Sequence, residues 1–188
     1  MNRPFIVVVT GPPGAGKSTL AECLAQELGL PLISKDGIKE TLFDTLGWHD
    51  REWSKKLGHA SFELMFHILE SHLEAQSSLI VESAFIPEFH TARFLELKGR
   101  YDFRPIQVYC TADDAVLFER FQARVTSGER HPGHVDHLAT YERFVEALRE
   151  GRYDVLEIGG ALLRVDTTDW TEVDRESLVE AVTSILAG

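Results

Sequence analysis

The apolar run FIVVVT at residues 5–10 leads straight into GPPGAGKSTL at residues 11–20. No other stretch limits the fold as strongly. Gly11-x-x-x-x-Gly16-Lys17-Ser18 has the glycine spacing that lets consecutive backbone N–H groups turn inward around an anion. The segment after it has helical composition, so a helix offers its positive end to the same charge. Gly11, Gly14, Ala15, Gly16, Lys17, Ser18 and Thr19 are therefore read as the cradle of a nucleoside triphosphate. In that reading Lys17 reaches the β- and γ-phosphates and the Ser18 hydroxyl binds Mg2+. A glycine-rich turn without a ligand is the alternative, and the complete motif between strand and helix argues against it.

Apolar runs of strand length recur along the chain: PLIS at 31–34, SLIVESA at 78–84, PIQVYC at 105–110 and ALLRVDT at 161–167. They carry Val, Ile and Leu on both faces, as parallel strands covered by helices do. Helical spacing occupies about 18–28, 37–46, 51–75, 88–98, 113–126, 138–150 and 174–186. The pattern predicts an α/β chain: a three-layer P-loop NTPase fold with a five-stranded parallel sheet, one domain over residues 1–188, and no repeats.

Composition narrows the partners. The formal net charge is -11, which disfavours a nucleic acid without excluding one, because Arg120, Arg124 and Arg130 cluster locally. No run approaches the roughly 18 apolar residues of a membrane span, and the N-terminal stretch lacks the form of a signal peptide, so a cytoplasmic chain is expected. Cys23 and Cys110 lie far apart without CxxC spacing and are expected to be reduced and buried.

The second strand ends at the same sheet edge as the phosphate loop and is followed by LISKDGIKE, residues 32–40. Asp36 there can accept the proton of an attacking hydroxyl and orient it in line with the γ-phosphate. It can equally cap a helix opening at Gly37, and the two roles are compatible. LIVESA carries four apolar or acidic strand positions to Glu82, a carboxylate suited to holding Mg2+ through water or fixing the acceptor. Bonding to neighbouring backbone N–H groups is its plainer reading.

GPPGAGKST followed by SKDGIK resembles the P-loop kinase group of AAA-type ATP-binding proteins, which includes polynucleotide 5′-hydroxyl kinases, zeta-toxin-like kinases and chloramphenicol phosphotransferase. The resemblance implies that Asp36 is the general base and that ATP and Mg2+ are the cofactors. Lys39 stands where the polynucleotide kinases have an arginine for an acceptor phosphate, and lysine replaces that bidentate fork by a point charge. FERFQARVTSGERHPGHVDH resembles the lid of small P-loop kinases, here about residues 115–137. Arg120 and Arg124, four apart on one helix face, are its nucleotide-binding arginines, and Arg124 is the one expected to act in the transition state. Ion pairs with Glu119 and Glu129 are the alternative. By the same resemblance VDTTDW, residues 165–170, packs against the nucleobase, and with no NKxD motif it points to ATP over GTP.

Arg130, His131 and His134 belong to the loop after the lid helix and are expected to contact the acceptor or its phosphate. A metal site among His131, His134, Asp136 and His137 is disfavoured, because Pro132 and Gly133 read as a turn and no second cluster completes a tetrahedral set. His59, Glu63 and His67 recur every four residues on the long helix, flanking a stripe read as Trp53, Leu57, Leu64, Ile68 and Leu69, and are read as structural. Phe43, Trp48, Trp53, Phe62, Phe66, Phe85 and Phe89 concentrate around the acceptor side. Together these features predict phosphoryl transfer to a hydroxyl of a small molecule by a monomer or homodimer. The alternatives are a polynucleotide 5′-hydroxyl kinase and a nucleotide-dependent switch or assembly ATPase.

Overall fold

The computed structural model describes residues 3–128, 130–135 and 140–187, with Ala187 described by its backbone alone. Five strands form one sheet: β1 (Phe5–Thr10), β2 (Leu32–Ser34), β3 (Leu79–Glu82), β4 (Arg104–Thr111) and β5 (Ala161–Asp166). Their order is β2-β3-β1-β4-β5, and each adjacent pair is parallel. The helices are α1 (Lys17–Leu28), α2 (Lys35–Leu46), α3 (Arg51–Glu74), α4 (Pro87–Arg100), α5 (Asp114–Thr126), α6 (Tyr141–Arg149) and α7 (Arg175–Ala187).

β1 shows why the sheet needs helices on both faces. Ile6, Val7, Val8 and Val9 are all fully buried, and successive side chains point to opposite faces. Ile6 and Val8 join Met65, Phe66, Leu69 and Leu73 of α3 and Phe94 and Leu97 of α4 in one core. Val7 and Val9 join Leu20 and Leu24 of α1, Leu117 of α5 and Val182 of α7 in the other. Three layers result. β5, at the sheet edge, departs from the expected burial on both faces: its residues alternate half-buried and exposed, with Leu162 40% exposed.

The strand order decides what surrounds the phosphate loop. β3 lies between β1 and β2, with Val9 opposite Glu82 and Glu82 opposite Ser34. Glu82 thus stands between the end of β1 and the start of α2. α2 begins at Lys35, two residues before the expected Gly37, because the Ser34 hydroxyl caps it by accepting from Gly37 N–H. Asp36 is a first-turn residue and not the cap. α6 likewise starts at Tyr141 behind a Thr140 cap, while residues 138 and 139 lie outside the described residues.

The buried stripe of α3 runs through Leu57, Ser61, Met65, Leu69 and Leu73, with Phe66 beside it. Leu64 faces outward at 41% exposure, contrary to the expected stripe, and His59, Glu63 and His67 share the exposed side. Cys110 is buried, but Cys23 only half so.

Candidate active site

The phosphate loop connects β1 to α1 through Gly11, Gly14 and Gly16, all at positive φ. Gly11 is required on two grounds. Its φ is 136°, and a Cβ there would stand 2.0 Å from the Cys110 carbonyl oxygen of β4. Ala15 is buried, and Gly16 is the left-handed N-cap of α1, with the Trp170 ring packed against it. Among the described residues no side chain caps α1, so the N–H groups of its first turn, at Lys17, Ser18 and Thr19, are open to an acceptor from outside the helix. This donor set and the glycine cradle fit a polyphosphate, and the exposed Ser18 hydroxyl at the helix start fits a metal bound to it.

Lys17 is 8% exposed, and its Nζ donates to the Pro12 carbonyl at 2.8 Å. Burial lowers the affinity of the amine for its proton, and the Glu82 carboxylate opposes that effect. Glu82 is 4% exposed and accepts from the Ser34 hydroxyl at 2.8 Å. Burial raises its pKa, against the pull of Lys17 and of Ser34. Arg124, in the last turn of α5, is close enough for its charge to act on both groups. Arg120 takes a different place: its guanidinium donates to Thr167 Oγ1 at 3.3 Å and to the Thr168 carbonyl at 3.1 Å. It ties α5 to the loop after β5, whose Thr167 hydroxyl lies 3.4 Å from the Ala15 carbonyl.

On the other side of Glu82, both oxygens of Asp36 are engaged. Lys35 Nζ donates to Oδ1 at 3.0 Å and Arg130 Nη1 to Oδ2 at 2.8 Å. Burial alone would raise the pKa of this carboxyl, but the Lys35 and Arg130 charges override it and hold the group well below the usual carboxylate range. Asp36 is therefore ionised at any physiological pH, although its side chain keeps 35% exposure.

The segment after α5 folds down on α2. His131 stacks on Phe43 with ring centroids 4.9 Å apart, accepts from Gly133 N–H through Nδ1, and pairs with Asp44 through Nε2 at 3.3 Å. His134 is buried, 2.9 Å from Glu40. Lys39 is also buried, donating to Ser54 of α3 at 3.0 Å and lying over the Phe43 ring. Glu40 was not singled out from the sequence, and Glu129, Asp136 and His137 lie outside the described residues.

Gly133 makes this docking testable. A Cβ there would meet the Phe43 ring at 2.7 Å. Gly133→Ala is expected to destabilise the fold by about 1–3 kcal/mol through overpacking while ATP affinity stays unchanged. Chemical denaturation and a nucleotide titration measure the two effects, and an unchanged midpoint would contradict the docked loop.

The family profile described as AAA domain, AAA_33, matches residues 6–148. The chain belongs to this family. With it the AAA_33 chain falls in the P-loop kinase group, in agreement with the resemblance carried by its motifs. A crystal structure of a candidate kinase from Chloroflexus aurantiacus J-10-fl is 40% identical, covers 96% of this chain and 97% of that one, and superposes with a TM-score of 0.88. A cytidylate kinase from Sulfurisphaera tokodaii is 34% identical over 120 residues, 64% of this chain and 62% of that protein. The chain spans less than two thirds of the length of the curated relatives it matches. A shikimate kinase from Bacteroides thetaiotaomicron, 19% identical over 98% of this chain and 99% of its own, has a TM-score of 0.57 and shares the fold. Among the described residues no helix is long and apolar enough to cross a membrane.

Proposed function

We propose that this AAA_33 chain transfers the γ-phosphate of ATP to a hydroxyl of a small molecule, with Asp36 as the general base. One observation carries the reading: an ionised carboxylate, braced on both oxygens by Lys35 and Arg130, stands one strand from the phosphate loop with Glu82 between them. Ser18 would hold Mg2+, whose charge would offset that of the phosphates. Lys17 would bind the β/γ oxygens, and Glu82 would hold the metal's water or orient the acceptor. Asp36 would accept a hydrogen bond from the acceptor hydroxyl and take its proton as the new P–O bond forms. So acidic a carboxyl is a weak base, which suits a loose transition state in which the hydroxyl becomes acidic late. Arg124 would stabilise the charge moving onto the bridging oxygen.

The charge balance favours a small acceptor. Lys39, the position offered for a polynucleotide phosphate, is buried between α2 and α3, and a net charge of -11 works against holding a long polyanion. The exposed Trp48 and Phe89 and the half-buried Phe62 and Trp53 remain as candidates for covering an apolar face of the acceptor. A cytoplasmic monomer or homodimer preferring ATP over GTP completes the proposal. Incubation with γ-labelled ATP and a pool of hydroxylated metabolites and antibiotics tests it. Label in an acceptor, with hydrolysis near zero when the pool is omitted, is expected. Vigorous acceptor-free hydrolysis with ring assembly on sizing would favour the assembly ATPase.

Arg124→Ala separates transition-state from ground-state contact. The transfer rate is expected to fall by about 10²-fold while the ATP dissociation constant rises far less, because the contact strengthens as charge moves. A loss of thermal stability with unchanged transfer would make the arginine a surface residue.

A further inference from the structure

We infer that Glu40 and His134 are positioning residues, which aim Arg130 at Asp36 through one directional chain of hydrogen bonds. The chain runs Glu40–His134–Arg130–Asp36, and each link is on hydrogen-bonding distance: 2.9 Å from Glu40 Oε1 to His134 Nε2, 3.2 Å from His134 Nδ1 to Arg130 Nη2, and 2.8 Å from Arg130 Nη1 to Asp36 Oδ2. Its direction follows from the groups themselves. A guanidinium only donates, so His134 Nδ1 must accept; the ring proton then sits on Nε2 and is donated to Glu40. One tautomer satisfies both neighbours.

The surroundings keep that ring neutral. Burial acts first against the imidazolium, Arg130, Lys39 and Lys35 add like charge, and Asp36 opposes them, leaving the pKa lowered to about 3. Glu40 faces the same ring from α2, and Ser54 of α3 donates to the His134 carbonyl at 3.4 Å. Phe43 closes the edge of the ring, with centroids 5.3 Å apart. A histidine held as Nε2–H by a fixed carboxylate presents one lone pair in one direction, and that lone pair selects the Arg130 rotamer. Arg130 in turn keeps Asp36 ionised and oriented. The inference rests on Asp36 being the base for its catalytic meaning, but its geometry is testable without an acceptor.

Nitrogen-15 spectra of the histidine rings in the full, ATP-free chain are the first measurement. His134 is expected as the neutral Nε2–H tautomer down to at least pH 5; a proton on Nδ1 would overturn the proposal without any variant. The second is the carboxyl carbon-13 titration of Asp36 over the pH range in which near-ultraviolet circular dichroism shows an intact fold. Wild type is expected to stay ionised throughout, whereas in Glu40→Ala and His134→Phe the midpoint moves up toward the ordinary value of about 4. Glu40→Gln, which keeps an accepting oxygen, is expected to restore the wild-type titration. A merely structural role predicts lower melting temperatures with the Asp36 titration unmoved, and that result would overturn the chain. Once an acceptor is in hand, Glu40→Ala should lower kcat by roughly tenfold with the ATP KM unchanged. Retained transfer in Asp36→Asn would remove the base reading and leave the ring spectra, and so the chain, standing.

Discussion

Lys17→Ala is expected to lower phosphoryl transfer by on the order of 10³-fold or more and to weaken ATP binding with it. The reason lies in where the amine is. Lys17 is buried at the start of α1 among backbone donors, and it is the cation within the loop itself. Its Nζ already lies 2.8 Å from the Pro12 carbonyl, so it is held inside the cradle. Alanine leaves backbone N–H groups to face the β/γ charge without a side-chain partner. ATP affinity by calorimetry and turnover by label transfer measure the two losses together. Full activity in the variant would sink the phosphate-loop assignment.

For Asp36→Asn the expected loss in transfer is about 10²–10⁴-fold, with ATP affinity kept, because the phosphate loop is untouched. Equal loss of ATP affinity would point instead to a structural or metal-holding role. The same variant carries a stability signature whose sign follows from the direction of the shift. The folded-state pKa of Asp36 is depressed by Lys35 and Arg130, so its ion pairs stabilise the fold fully above the unfolded carboxylate value of about 3.9. That stabilisation drains away as the pH falls below it. The stability gap between wild type and Asp36→Asn, read from denaturant midpoints, is therefore expected to be widest near neutrality and to narrow below about pH 4. A gap that widens toward acid would contradict the pairing with Arg130.

What could be read from the chain followed the range of the interactions involved. The phosphate loop, the five strands and Glu82 at the end of β3 are written in local patterns, glycine spacing and apolar runs, and they lie where those patterns put them. The start of α2 was misplaced because Ser34 and Asp36 are both good caps, and only the fold shows that the serine hydroxyl takes the role. The stripe of α3 was misread at Leu64 because a serine occupies the buried face. Ser61 is fully buried, with its hydroxyl donating to the Leu57 carbonyl one turn back. That polar residue hides the stripe from a hydrophobicity count.

Glu40 was missed for a different reason. Its partner His134 and the pair Arg130–Asp36 are each 94 residues apart in sequence, so no window contains both ends. The three arginines, singled out together in the sequence, part company in the fold: Arg120 is fastened to the loop after β5, the charge of Arg124 acts on Lys17 and Glu82, and Arg130 pairs with Asp36. Two of them share α5 and the third follows it, and that spacing could not assign those three destinations.

The most direct measurement is a competition in one vessel. Wild-type protein, Mg2+ and γ-labelled ATP are incubated with a mixed pool of small hydroxylated metabolites and antibiotics and with 5′-hydroxyl DNA and RNA oligonucleotides, at low and at physiological salt. Label in one class of small acceptor, at a rate nearly independent of salt, is the predicted result. Efficient labelling of the oligonucleotides, falling steeply as salt rises, would reveal a surface that tracks phosphates and would contradict the assignment of a small hydroxylated acceptor beside Asp36.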